Sequence, residues 1–586
     1  MDTYVVDFET YYDGDYSVTE MGYARYVNDA RFDAYLVSIV GETYASVSSP
    51  KNADWGRLHG NRVVAHNASF DMAVFLRLRQ LGIVPQSCVP SEWQCSSSMA
   101  VFFRLPRNLK DAAAAGLGIV VDKTVRTKMS GKTLEDARRC GWFEEVQTYA
   151  LNDSKYTYAL WKKYEAGWPA FERELSRLTI ECGMRGFCVD EEKLDAAMEA
   201  LEVARFQAEA DLPWVRDGRP PLSPKALAEQ CRIVGITPPE SLAKESERCT
   251  EWMAQYATQY PWVLAMRDWR GINTLLKKLK TFRDRRRESS GGRIDYSMKY
   301  FGAHTGRWSG DQRLNVQALH KTPVFGVNLR ECVVPEKGYT FFVADLAQIE
   351  PRCMAWLCGD TEFMQSLREG SHPYEAHARQ TMGWTGGVLK KERPDLYALA
   401  KARVLGLGYG CGAVNFVAVA KIMAGITLTE AESIKTVRDY RTKNWRVMKL
   451  WKKLESGLRL AAARKDPFVV NLPSGRTLEY LEPYSIKTQL FAKVGHLQPF
   501  KKFYGGILCE NLVQAVARDV FADMLVRLAS AGYRILFHVH DEVILEVPIG
   551  SSIEPVKAIM SQAPSCMADL VVDVEISESE NYSLAK

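Results

Sequence analysis

The run His538-Val539-His540-Asp541-Glu542-Val543 lies between two strand-like apolar stretches, Tyr533-Arg534-Ile535-Leu536-Phe537 and Val543-Ile544-Leu545-Glu546-Val547. Two strands joined at a carboxylate pair make a hairpin whose tip carries charge. Carboxylates in such apolar company need a partner, and a divalent cation is the obvious one. A second strand-like run, Tyr339-Thr340-Phe341-Phe342-Val343-Ala344, leads into Asp345, and Gln348-Ile349-Glu350 follows. Two strand ends that each deliver an aspartate are what a two-metal phosphoryl-transfer site requires.

The 586 residues suffice for about two to four domains with real cores. A hydrophobic fraction of 47% and a charged fraction of 25% are those of a soluble globular protein. The net charge of +5 says little about partners, but its distribution says more. Arg267, Arg270, Lys277, Lys278, Lys280, Arg283, Arg285, Arg286, Arg287 and Arg293 face only Asp268, Asp284 and Glu288. Alone this reads as a solvated helix face; beside metal-type carboxylates it reads as a phosphate-tracking surface. The thirteen cysteines are scattered and never spaced as CxxC, which points to a reducing compartment without a zinc site. No basic-then-apolar leader and no membrane-length apolar run are present, so a cytoplasmic protein is expected. Without an oligomerisation signal, a monomer is expected.

Near the start, Tyr4-Val5-Val6-Asp7-Phe8-Glu9-Thr10 puts Asp7 and Glu9 on one strand face and Phe8 on the other. Arg62-Val63-Val64-Ala65-His66-Asn67 reads as a buried strand, followed by a helix with Asp71 in its first turn. Tyr149 and Asp153 stand four apart on a later helix, on one face. The first 165 residues therefore resemble the DEDD-type 3′→5′ exonucleases of the tyrosine subclass, with Asp7/Glu9, Asn67 to Asp71 and Tyr149 to Asp153 as the three motifs in order. The resemblance implies an RNase H-like α/β fold and two Mg²⁺ or Mn²⁺ ions held by Asp7, Glu9, Asp71 and Asp153. Tyr149 would orient the attacking water. Four carboxylates this close repel, so without cations the site is strained or partly protonated.

Over the whole chain the sequence resembles an A-family DNA polymerase of compact phage type, on Thr305-Gly306-Arg307, Asp345 to Glu350, the helix around Lys401 and His540-Asp541-Glu542. The implied architecture is an exonuclease domain over 1–165 and an α+β right-hand polymerase domain over 166–586, with thumb about 190–295, palm about 296–365 and 466–586, and fingers about 366–465. Asp345, Asp541 and the Leu346 carbonyl would hold two further Mg²⁺ or Mn²⁺ ions for nucleotidyl transfer, with Glu542 beside them. Glu350 would exclude a 2′-hydroxyl, and Gln348, Lys401, Leu405 and Tyr409 would line the dNTP site. Lys401 fits the family's fingers helix, but Tyr397 replaces its phosphate-binding arginine and Leu405 its aromatic. Arg393 or Arg403 is the expected substitute cation. Arg307, Asn315, Gln317, Arg476, Asn511, Gln514 and His540 are the expected primer-template contacts, although Asn511 and Gln514 also suit ordinary buried amides. The resemblance implies a replicative enzyme, with any processivity partner unidentified. A nuclease whose C-terminal half only grips DNA, and a non-catalytic DNA-binding protein, are the competing readings. Converging Asp345, Lys401 and Asp541 speak against the first, and the complete exonuclease acid set speaks against the second.

Overall fold

The computed structural model describes residues 1–122, 124–239, 247–286, 292–311 and 314–584. Arg287 and Glu288 of the basic stretch lie outside the described residues.

The N-terminal part is built on a five-stranded sheet. Its strands lie in the order Ala45–Ser48, Ala34–Val40, Thr3–Thr10, Arg62–Ala65, Glu92–Cys95. Thr3–Thr10, Arg62–Ala65 and Glu92–Cys95 run parallel, so their C-terminal ends share one edge. In the first strand Val5, Val6 and Phe8 are buried while Asp7 and Glu9 stay partly open, as period-two alternation dictates. The helix Phe143–Tyr164 crosses this sheet, pinned where Ser38 Oγ donates to the Ala150 carbonyl at 3.0 Å.

The C-terminal part has an antiparallel sheet in the order Arg534–Val539, Glu542–Pro548, Tyr339–Leu346, Val574–Ser579. Its interior strand Tyr339–Leu346 is almost wholly apolar, and its Phe341, Phe342 and Val343 join the main core with Val543, Ile544, Leu545, Val516 and Val520. The last two come from the 26-residue helix Gly505–Ser530. Helices Glu191–Ala210 and Pro261–Arg285 pack together ahead of this sheet, and helices also fill most of 349–464. A second four-stranded sheet joins Phe468–Asn471, Thr477–Ile486, Gln489–Lys493 and Lys501–Phe503.

The basic stretch is less of a surface than its composition suggests. Arg285 is buried, with its guanidinium donating to the Thr19 carbonyl at 3.4 Å. Arg293 pairs with Glu546 at 2.9 Å, Arg286 with Glu191 at 3.1 Å, and Lys278 donates to the Ala318 carbonyl at 3.0 Å. These cations tie segments together, because a buried guanidinium must be satisfied by oxygen acceptors. Arg267, Arg270, Lys277, Lys280 and Arg283 do face solvent.

Candidate functional site

Asp345 and Asp541 arrive from the ends of adjacent strands. The Leu346 N–H donates to the Asp541 carbonyl at 3.0 Å, clamping the two ends together. Asp345 stands opposite Glu542 on one neighbouring strand and opposite Glu575 on the other. Burial, and then the nearby Glu542 and Asp541, push Asp345 up to about 7. Burial also lifts Asp541 to about 6, against the pull of the Arg307 guanidinium. The turn between the strands is His540-Asp541, so Glu542 is not at the hairpin tip as expected. It is already paired within the sheet and buried, accepts from Tyr582 Oη at 2.6 Å, and lies 3.4 Å from Lys321 and 3.6 Å from Arg330. Glu542 is therefore held within the sheet beside Asp345 rather than facing the opening.

Non-glycine residues in the left-handed region are uncommon and strained. Of nine such residues in the described chain, three flank the candidate acids. Gln348 (φ 50) starts the helix that carries Glu350, His540 (φ 54) precedes Asp541, and Asn67 (φ 87) starts the helix that carries Asp71. Each places an acid just beyond a sharp strand-end reversal.

Above Asp345 and Asp541, Arg307 Nη2 donates to Glu350 Oε1 at 2.5 Å and lies 4.0 Å from Asp541. Tyr409 Oη donates to the other Glu350 oxygen at 3.4 Å. Gln317, Arg307, His540 and Asp541 line one small cavity together with Arg518. Asn315 faces its own turn, accepting from the Gln317 N–H at 3.0 Å.

The stretch from Tyr397 to Tyr409 is not one unbroken α-helix face. The helix Pro394–Ala402 carries Tyr397 and Lys401, then gives way to a π-helical turn over Arg403–Leu407. A π turn takes in an extra residue and rotates the side chains beyond it about the helix axis, and such turns gather at functional sites. Arg403, which opens that turn, is buried and lies 5.9 Å over the Tyr440 ring, a place that does not suit the expected substitute phosphate cation. Arg393 stays exposed at the helix start and pairs with Asp395 at 2.7 Å. Leu405 packs against the apolar cluster of Tyr374, Ala378, Leu389 and Ala400. Tyr397 lies 5.6 Å from the Tyr374 ring, and Tyr374 Oη donates to Gln348 Oε1.

Two expected DNA contacts are structural instead. Arg476 is buried, pairs with Asp519 at 2.7 Å, and donates to the Thr305 carbonyl at 3.1 Å. Asn511 is buried and donates to Tyr480 Oη at 3.1 Å. Gln514 remains half-buried beside Glu510, to which it donates at 3.1 Å.

The sequence reading missed a buried brace. Arg518 binds Glu172 through two hydrogen bonds of 2.6 and 2.8 Å, while its Nε donates to the Gly306 carbonyl at 3.0 Å. Tyr300 Oη donates to Glu172 at 2.6 Å. Burial raises Glu172, but Arg518 outweighs it and holds the carboxyl below its usual range. Together with Arg476, the brace thus fixes both carbonyls ahead of Arg307. Its sequence signal was a charged pair, Arg518-Asp519, set between the apolar residues Val516-Ala517 and Val520-Phe521 of one helix.

The N-terminal acids meet at the shared strand edge. Asp71 is buried and accepts from the Phe8 N–H at 3.1 Å; burial and the charge of Asp7 raise it well above the carboxylate range. Burial raises Tyr149, and the charges of Glu9, Asp153 and Asp7 add to it. Among the described residues no three or more His, Cys, Asp or Glu side chains form a ready cage for an ion. The donors at both sites are nevertheless carboxylate oxygens, hard ligands that suit Mg²⁺ or Mn²⁺, and the raised acids are the ones a cation would relieve.

A family model for DNA polymerase family A matches residues 223–583. A DNA polymerase of Bacillus phage SP02 is 26% identical over 570 residues, covering 85% of this chain and 86% of the relative. A thermostable DNA polymerase I of Thermus filiformis is 24% identical over 79% of this chain and 53% of its own length. The chain thus spans about half of that longer relative. The fold is also that of the POL domain of Pol1 from M. smegmatis, solved with DNA primer-template and dNTP (TM-score 0.67, 17% identity, 94% of each chain).

Proposed function

The chain belongs to DNA polymerase family A, a family of DNA-directed DNA polymerases, and from that premise we propose that it extends a primer with dNTPs at Asp345 and Asp541 and removes mispaired 3′ ends at Asp7, Glu9, Asp71 and Asp153. The observation that carries the reading is the junction of two strand ends that holds Asp345 beside Asp541 beneath Arg307, Glu350 and Tyr409. In this reading residues 1–165 are the exonuclease and 166–586 the thumb, palm and fingers. Divalent ions, Mg²⁺ or Mn²⁺, two per site, would supply an activated hydroxide or primer hydroxyl and screen the reacting phosphate. Asp345, Asp541 and the Leu346 carbonyl hold them on one side, and the four N-terminal acids on the other. Glu350, fixed between Arg307 and Tyr409, excludes a 2′-hydroxyl, and Lys401 meets the triphosphate as a point charge. Tyr149 orients water at the nuclease acids. Primer-template DNA and dNTPs are the partners, in a phage host's cytoplasm. Among the described residues no helix is long and apolar enough to cross a membrane.

The test is a labelled primer-template incubated with Mg²⁺, with and without dNTPs. Extension with dNTPs and 3′ shortening without them are expected. Asp7→Ala with Glu9→Ala should remove only shortening, and Asp541→Ala only extension. A folded variant that loses both activities overturns the two-site reading.

A further inference from the structure

The sheet formed by Thr477–Ile486, Gln489–Lys493 and Lys501–Phe503 has two unlike faces. Tyr480, Leu490, Ala492 and Phe503 are buried on the inner one. A bulge sets two residues, Glu482 and Pro483, between Leu481 and Tyr484 against one, Ala492, between their partners Lys493 and Phe491, with Glu482 at φ 48. One extra residue reverses the alternation, so Tyr484 turns to the outer face.

There Tyr484 stands opposite Phe491, and Phe491 opposite Lys502. The Tyr484 and Phe491 rings stack at 5.2 Å, Phe500 meets Tyr484 edge-on at 4.9 Å, and the Lys493 ammonium lies 4.6 Å from the Phe500 ring. Tyr484 is 36% exposed and Phe500 42%. Lys487 occupies the hairpin tip, Lys502 stands on the outer face, Lys501 is exposed on the side of Ala492, and Lys493 also pairs with Glu482 at 2.7 Å. Four lysines against two glutamates give residues 477–503 a net charge of +2. Cross-strand stacking alone needs neither open rings nor a lysine rim.

The sheet also touches the surroundings of the Asp345–Asp541 site and packs against the N-terminal part of the chain. Its root, Arg476-Thr477, lies beside Thr305, two residues before Arg307. Arg104, which follows the edge strand Glu92–Cys95, donates to the Thr477 carbonyl at 2.6 Å and the His304 carbonyl at 3.0 Å, and its own carbonyl accepts from the His496 N–H at 3.4 Å.

We propose that this outer face is a single-stranded DNA track, occupied by the melted primer 3′ end as it passes from Asp345 and Asp541 to the N-terminal acids. Open aromatic rings among lysines hold unpaired strands without sequence preference, because every base has a face to stack and every nucleotide a phosphate. A paired duplex offers no free base faces to these rings. The inference rests on the two-site reading above.

The test compares the full-length chain with F500A/K502E and, separately, Y484A. Three substrates are used: a primer-template with a mismatched 3′ end, a matched one, and a free single-stranded trinucleotide. Mismatch removal should fall about tenfold, as for the loss of one stacked base, while the trinucleotide is digested and the matched primer extended as before. Unchanged mismatch removal in both variants overturns the track. Loss of extension that deepens with template overhang length overturns it too, assigning the face to the template. A wild-type chain that shortens neither mismatched primer nor trinucleotide refutes the nuclease reading itself, and the transit with it.

Discussion

Removing the Arg518 guanidinium, as in Arg518→Met, leaves the Glu172 carboxylate buried with two of its hydrogen bonds gone. What remains is Tyr300 Oη at 2.6 Å and Arg476 at 3.7 Å. Breaking a buried pair from one side costs about 3–5 kcal/mol, because a charge is left without its partner. Replacing both partners by apolar residues of similar volume removes that orphan. Asp519 keeps Arg476 at 2.7 Å in either case. The double variant Glu172→Met with Arg518→Met should therefore lose much less than the sum of the two single changes, with a coupling of about 2–3 kcal/mol. Urea unfolding of the full chain, followed by tryptophan emission, reads this directly. Trp308 is a suitable reporter, since the Arg518 guanidinium lies 5.0 Å from its ring. Either variant that carries Arg518→Met also frees the Gly306 carbonyl and should weaken primer extension while sparing digestion of single-stranded DNA. Additive single changes, or a loss below about 1 kcal/mol for Arg518→Met, would refute the idea that this pair braces the Arg307 loop.

Asp345 and Asp541, raised to about 7 and about 6, favour the folded chain when protonated. Their contribution is full below about pH 4, the unfolded value, and is lost as pH climbs through 6 and 7. Without divalent ions the melting temperature should fall over that window, Mg²⁺ should restore more of it at pH 7.5 than at pH 5, and Asp345→Asn should flatten the profile; a profile as steep in Asp345→Asn as in wild type contradicts the assignment. Glu350→Ala should raise ribonucleotide incorporation relative to dNTPs in primer extension, and an unchanged ratio removes Glu350 as the 2′-hydroxyl sensor.

The strands and acids of both sites were legible because period-two alternation and apolar runs are local signals. Asp7 with Glu9, Asp71 in a first helical turn, and Asp345 at a strand end all lie where that logic puts them. What failed were inferences about which way a charged side chain faces. Arg476 and Glu542 carry charges that suggested solvent or ligand, yet each is buried among partners brought from far along the chain, and Arg403 is buried over the Tyr440 ring; of the two readings open for Asn511, the structure shows the buried amide. The π turn at Arg403–Leu407 has no marker in composition, so a regular helical frame beyond Lys401 falls one step out of phase. The partners of Arg285 and Arg293 lie in Thr19 and Glu546, separations no local pattern encodes.

The strand carrying Asp345 is flanked on one side by Glu542–Pro548 and on the other by Val574–Ser579, and Tyr582 secures Glu542 from beyond both. As the chain leaves the ribosome, the N-terminal sheet can close once its last strand, Glu92–Cys95, has emerged. Asp345 must wait until Val574–Ser579 and Tyr582 are made, since long-range strand pairing forms only when both strands exist. A chain interrupted before that point would thus carry the first set of acids complete and the second unassembled. Primer extension is therefore expected from the full chain and not from one truncated before Val574, which a primer-template assay of the truncated chain reads.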